Sequence, residues 1–206
     1  RICHRLEDFC YKCPKCGQEF TMKGEGDKIT CSHCGNGAMM DDYYQFHPFE
    51  GAVIPASPFD WVEQERMDII KEIRENPDYF FEDECQIGNL DEYKLIGSNK
   101  TSFIVGEGKI RIDHQGLHYK GTRNGEPYEF TADYTKLYTL ITGVDSSFFN
   151  FYLNGEYFDI FPKHQTVGKF SLLVEEMHRY HVNTYKNFKW NDYMYEGMEL
   201  GIDLKK

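Results

Sequence analysis

Residues 13–35, CPKCGQEFTMKGEGDKITCSHCG, contain two Cys-x-x-Cys-Gly knuckles with fourteen residues between Cys16 and Cys31. At this spacing two chain turns can offer four thiolates, from Cys13, Cys16, Cys31 and Cys34, to one tetrahedral ion. Gly17 and Gly35 stand where each turn calls for a positive φ or a close backbone approach, and Phe20 to Thr30 has room for a short hairpin. The pattern predicts a zinc ribbon. Cys10 and His33 are rival donors, because Cys10-x-x-Cys13 repeats the spacing and His33 lies inside the second knuckle. The glycine after each second cysteine favours the four named residues. Four thiolates close the coordination sphere, whereas a catalytic zinc keeps three protein ligands and an open position for water. The expected cofactor is therefore a structural Zn2+. So small a module cannot bury a core of its own, and ligation, worth roughly 10–16 kcal/mol in comparable sites, supplies its folding free energy.

Working outward, the 206 residues are 40% hydrophobic and 16% aromatic, enough for one ordinary core beside the metal module. Net charge is −11, from 34 acidic against 23 basic side chains, which repels phosphate backbones and anionic membranes unless a local basic patch overrides it. Between the knuckles Lys23 and Lys28 face Glu19, Glu25 and Asp27, so no basic groove for nucleic acid is expected. Seven cysteines less four ligands leave Cys3, Cys10 and Cys85, an odd remainder that suits a reducing, cytoplasmic compartment better than a secreted disulfide scaffold. No apolar run spans a bilayer and no secretory signal is present. The chain starts at Arg1 and not Met, and is expected to be a fragment of something larger.

Four segments are predicted: a zinc ribbon at 10–46 after a short approach segment, a connector and amphipathic helix at 47–78, a mainly antiparallel β domain with a C-terminal helix at 79–185, and a tail at 186–206. In the connector, HPFEGAVIPASP, Ser57 reads as an N-cap, with Pro58 at the first helical position and Asp60 three residues after the cap. The helix should run from about Pro58 to Glu75, with Phe59, Val62, Arg66, Ile70 and Ile73 on its apolar stripe, Trp61 and Ile69 widening it, and Glu63 and Glu65 on the polar surface. Asn76-Pro77 ends it. Further on, Asn124-Gly125 and Asn154-Gly155 predict two-residue type I′ hairpins. Counting outward pairs Arg123 with Glu126 and Lys120 with Glu129, and puts Phe149, Phe151, Leu153, Phe158 and Ile160 on one face. Gly106-Glu107-Gly108 reads as a turn, and a helix from Thr166 to about Asn183 has Val167, Phe170, Val174, Met177 and His181 spaced for one face. Six or seven strands closed by one C-terminal helix give the expected fold class: α+β, a small zinc ribbon followed by a pleckstrin-homology-like barrel, with an open sheet plus one helix as the competing arrangement.

Little else in the chain carries chemistry. His178 and His181, three apart on the last helix, read as core or rim histidines, and His114, His118 and His164 lack a nucleophile context. Glu82, Asp83, Glu84, Asp91 and Glu92 read as a solvated strand edge. No catalytic residue is expected.

The ribbon YKCPKCGQEFTMKGEGDKITCSHCG, the later SPFDWVEQER, and LHYKGTRNGEPYEF followed by DIFPK resemble the C-terminal extension of bacterial 1-acyl-sn-glycerol-3-phosphate acyltransferase-like proteins, over about residues 10–182. In that family an upstream domain carries an H-x-x-x-x-D motif whose histidine is the general base toward the glycerol hydroxyl. None of the eight histidines here has an aspartate five positions on, His4 with Asp8 falling one residue short, so the motif does not carry over. The resemblance implies a parent acyltransferase of phospholipid synthesis, held at the inner face of the membrane through its missing upstream domain. This chain would be its non-catalytic accessory region, contacting the parent's acyltransferase domain, a second copy or an acyl-carrier partner. The alternative is a module that binds lipid headgroups through Lys109, Arg111, Lys120 and Arg123. A nucleic-acid-binding ribbon ranks last.

Overall fold

The computed structural model describes residues 3–89, 102–143 and 145–182. The fold is α+β, with two antiparallel sheets and two α-helices among the described residues. The first sheet has four strands in sequential order, β1 (Met22–Glu25), β2 (Lys28–Cys31), β3 (Gly37–Met40) and β4 (Phe46–Pro48). The residues ahead of the knuckles belong to this unit: Cys3, Asp8 and Cys10 are fully buried, Cys3 and Cys10 in one core with Met22, Ile29, Met40 and Phe46.

Helix α1 (Pro58–Glu75) begins as the sequence dictates. The Ser57 hydroxyl oxygen accepts from the Asp60 N–H at 3.2 Å and its O–H donates to the Asp60 carboxylate at 2.6 Å, with Pro58 in the first turn. Asn76, extended ahead of Pro77, ends the helix. Its apolar stripe differs from the predicted one. Phe59 is 70% exposed, and Trp61 enters the ribbon core instead, 5.7 Å from the Phe46 ring with its indole N–H donating to the Lys12 carbonyl at 3.0 Å. Glu63 and Glu65, predicted on the surface, are buried. The reason is tertiary: α1 is wedged between the ribbon, the second sheet and α2 (Val167–His181), so less of its circumference meets water than an amphipathic helix on one sheet would show.

The second sheet has seven strands, β5 (Phe80–Asn89), β6 (Phe103–Asp113), β7 (Gly116–Arg123), β8 (Glu126–Ala132), β9 (Ile141–Thr142), β10 (Phe149–Leu153) and β11 (Glu156–Pro162), ordered β8-β7-β6-β5-β11-β10-β9. Both Asn-Gly hairpins form in the predicted register: Arg123 faces Glu126, Lys120 faces Glu129, and Phe149, Phe151, Leu153, Phe158 and Ile160 are all buried. Asn124, Gly125, Asn154 and Gly155 all take the positive φ of a type I′ turn.

The expected barrel is corrected to an open sheet, because β8 and β9 do not pair with each other and form its edges among the described residues, and β9 has only two residues with which to close anything. The sheet is nonetheless coiled. Phe130 on β8 lies 5.0 Å from Phe158 on β11 and 5.8 Å from Phe151 on β10, ring centre to centre. In a flat sheet with strands about 4.8 Å apart these rings would be about 19 and 24 Å apart. Glycines stand where β6 and β7 approach closely. Gly106 and Gly108, predicted as a turn, lie instead inside β6 opposite β7, and a Cβ there would stand 1.8 Å from the Thr122 carbonyl oxygen or 2.4 Å from that of Lys120.

Helix α2 packs Val167, Phe170, Leu173, Val174 and Met177 into the core of the coiled sheet. His181 is a rim histidine, exposed, with Nε2 3.0 Å from His114 Nδ1 and its ring stacked on Tyr134, while His178 is buried with Nδ1 2.6 Å from the Tyr134 carbonyl oxygen. No helix among the described residues is long and apolar enough to cross a membrane. Asp91, Glu92 and the predicted 186–206 tail lie outside the described residues.

Candidate metal centre

Both knuckles are built alike. The Gly17 N–H donates to the Cys13 carbonyl at 2.8 Å and the Gly35 N–H to the Cys31 carbonyl at 3.0 Å, closing each turn, and both glycines take the predicted positive φ. The Cys13 N–H donates to the Gln18 carbonyl at 2.9 Å and the Cys31 N–H to the Asn36 carbonyl at 2.7 Å, so local backbone bonds aim all four side chains inward. The sulfurs of Cys13, Cys16, Cys31 and Cys34 lie within 4.8 Å of one another. Cys13 to Cys34 is 3.6 Å and Cys16 to Cys31 is 3.9 Å. A tetrahedral ion with metal–sulfur bonds of about 2.3 Å needs sulfurs about 3.8 Å apart, so these four residues fit a thiophilic metal ion. No cysteine among the described residues is in a disulfide.

The rival donors are placed elsewhere. Cys10 is buried in the ribbon core, where burial raises its thiol well above the ordinary value. His33 points outward, its Nε2 3.3 Å from the Gln18 amide.

A second layer of polar groups holds the ligands. Burial works against a Cys31 thiolate, but the Thr21 hydroxyl 3.3 Å away and the N–H groups of Cys34 and His33 outweigh it and bring Cys31 down to about 6. Cys34, favoured as thiolate by the Asn36 N–H, is pushed up to about 12 by its surroundings and the three neighbouring sulfurs. Protons held on such a cluster leave when a metal binds. Asn36 is buried, with its amide nitrogen 3.6 Å from Cys13 Sγ and 2.8 Å from the Val53 carbonyl, and its amide oxygen accepts the Val53 N–H at 2.8 Å. It therefore ties the connector to the ligands in the manner of an outer-shell group.

Beside the centre lie buried polar groups that polarity alone hid. Glu65 is 2% exposed; its Oε1 accepts the Lys12 N–H at 2.7 Å and its Oε2 is buried without a partner. Arg66 donates to Glu176 at 2.6 Å and to Glu175 at 3.0 Å, joining α1 to α2. Lys169 on α2 donates to Glu19 at 2.6 Å. Helical spacing was the available signal: Glu65 sits at i+4 in the apolar series Trp61, Ile69, Ile73, and Lys169 precedes Leu173 and Met177 by the same interval.

The acidic run Glu82 to Glu84 is on β5, an interior strand and not an edge. Glu82 meets Lys109 at 3.0 Å and Glu84 pairs with Lys163. Asp83 is buried, accepting from the His164 ring at 2.7 Å and the Thr166 hydroxyl at 2.8 Å, which anchors the segment leading into α2. His118 meets Asp113 at 2.9 Å, and His114 meets His181 at 3.0 Å, well apart in sequence from the cysteines. Comparison with known proteins returns no match to a family model, a curated protein or a solved structure.

Proposed function

We propose that this chain is the non-catalytic accessory region of a larger acyltransferase-like protein of phospholipid synthesis, stapled by a structural Zn2+ on Cys13, Cys16, Cys31 and Cys34. Its task is contact with protein: the acyltransferase domain of its own polypeptide, a second copy, or an acyl-carrier partner. The observation that carries this reading is the donor set. Four sulfurs at tetrahedral spacing leave no position for an activated water, and all-thiolate tetrahedral sites suit zinc. Exposed aromatics, Tyr43 and Tyr44 in the turn between β3 and β4, Phe59 on α1 and Tyr152 on β10, supply the kind of anchor that protein interfaces use. Seven strands followed by a single C-terminal helix, in a sheet coiled so that Phe130 on the β8 edge reaches β10 and β11, support reading this part as pleckstrin-homology-like.

Two measurements test the reading. Purified zinc-loaded chain is expected to transfer no acyl group to lysophosphatidic acid, and turnover proportional to its concentration would overturn the non-catalytic role. The complete reading frame is expected to encode an H-x-x-x-x-D domain upstream; a frame without one removes the acyltransferase origin.

A further inference from the structure

The side chains next to the metal ligands on the ribbon reach into the second sheet domain. Glu19 and Phe20 follow Cys16 by three and four residues. On their other side Thr21 is fixed to the second knuckle: its hydroxyl lies 3.3 Å from Cys31 Sγ and its carbonyl accepts the Ser32 N–H at 2.8 Å. A metal on the four sulfurs thus clamps the backbone of Glu19 and Phe20 from both ends. Phe20 sits at φ 58, a left-handed conformation that a bulky residue keeps only where its surroundings impose it.

Those surroundings are a cage around Lys169. The ammonium is 4.7 Å from the centre of the Phe81 ring, 5.9 Å from Tyr11 and 6.0 Å from Phe20, with Glu19 Oε2 at 2.6 Å. Two of the rings and the carboxylate come from the ribbon, the third ring from β5 and the cation from α2. Lys169 is 5% exposed. A buried ammonium is tolerated when paired and penalised when its partner leaves, so the docked arrangement of ribbon and sheet depends on Glu19 being where the knuckles put it.

We propose that metal loading and docking of the ribbon on the sheet are one linked equilibrium, with Glu19 and Lys169 as the coupling pair. Zinc fixes Glu19, and Glu19 makes burial of Lys169 tolerable. By reciprocity a docked Lys169 raises the affinity of the four cysteines for zinc. The inference rests on the metal reading above and adds to it that the affinity is set partly from outside the ribbon.

The test uses the full chain and zinc alone, with affinity measured by competition against a chromogenic chelator. Glu19→Gln leaves the four ligands intact and Lys169 without its counter-ion, and is expected to weaken zinc binding about tenfold or more. Lys169→Met in the Glu19→Gln background removes the buried charge, keeps an apolar chain among the rings, and is expected to restore affinity to within about threefold. Unchanged affinity in Glu19→Gln overturns the coupling while leaving the metal site standing. A loss that Lys169→Met does not restore makes the effect local to the ribbon and also overturns it. A wild-type chain that binds no zinc overturns both readings. As a second readout, amine acylation followed by mass spectrometry should label exposed Lys28 and Lys71 in the loaded chain and spare Lys169, with Lys169 reacting once zinc is stripped. Equal protection of Lys169 in both states counts against the proposal.

Discussion

At the residue scale the most consequential side chain outside the cysteines is Glu65. Burial, with the nearby Glu19 charge, outweighs the N–H groups of Lys12 and Tyr11 and the Lys12 ammonium, and raises its carboxyl to about 9. The folded chain therefore holds Glu65 protonated at neutral pH, whereas the unfolded chain releases that proton near the ordinary carboxyl value of 4.5. Because the native state binds the extra proton, the contribution of this group is fully present below the unfolded value and is lost as pH rises through that window toward about 9. Glu65→Gln keeps an acceptor for the Lys12 N–H and has no proton to lose. Urea unfolding of the zinc-loaded proteins at pH 6, 7.5 and 9 should find the stability difference, mutant minus wild type, growing with pH at up to about 1.4 kcal/mol per unit. A difference that does not change with pH would mean that Glu65 is ionised in the fold.

At the scale of elements, the close pairing of β6 with β7 depends on glycines. Gly106→Ala would set a Cβ 1.8 Å from the Thr122 carbonyl oxygen and Gly121→Ala one 2.3 Å from that of Glu107, contacts that only a backbone shift can relieve. Each should cost about 1–3 kcal/mol in urea titrations, against less than about 0.5 kcal/mol for Lys136→Ala on an exposed turn. Equal costs at all three sites would show that the close pairing does not depend on the glycines. These positions also mark where sequence reading stops. The Asn-Gly hairpins and the Ser57-Pro58 helix start were legible because each is specified by neighbours a few residues away, as are the cysteine knuckles. Gly106-Glu107-Gly108 has the local chemistry of a turn, and only the crossing of a distant strand makes it part of β6. Glu65 and Lys169 were hidden for a related reason. Their polarity argues for the surface, while their helical spacing places them on faces that α1 and α2 bury against other units.

At the scale of the whole molecule, electrostatics decide between a protein surface and a lipid headgroup as the target. The net charge of −11 works against any anionic membrane, so headgroup binding needs a local cluster of unneutralised cations. Three of the four candidates are ion-paired to a carboxylate, and the fourth stands in register with one across the strand pair. Lys109 lies 3.0 Å from Glu82, Arg111 lies 3.2 Å from Asp113 and 3.8 Å from Glu82, Arg123 pairs with Glu156, and Lys120 stands opposite Glu129. Arg111 also lies over the Phe80 ring at 4.0 Å, and Arg123 over Tyr128 at 4.9 Å, which spreads part of their charge over aromatic faces. These exposed pairs add little to stability, but each cancels the field that would draw a phosphate headgroup inward. The zinc-loaded chain is therefore expected not to co-sediment with phosphatidic acid vesicles at about 0.15 M salt, where screening over about 8 Å weakens what attraction is left. Sedimentation that falls steeply with added salt, and that the double substitution Lys109→Glu with Arg111→Glu abolishes, would show that these ion pairs open at a membrane surface and would move the target from protein to lipid.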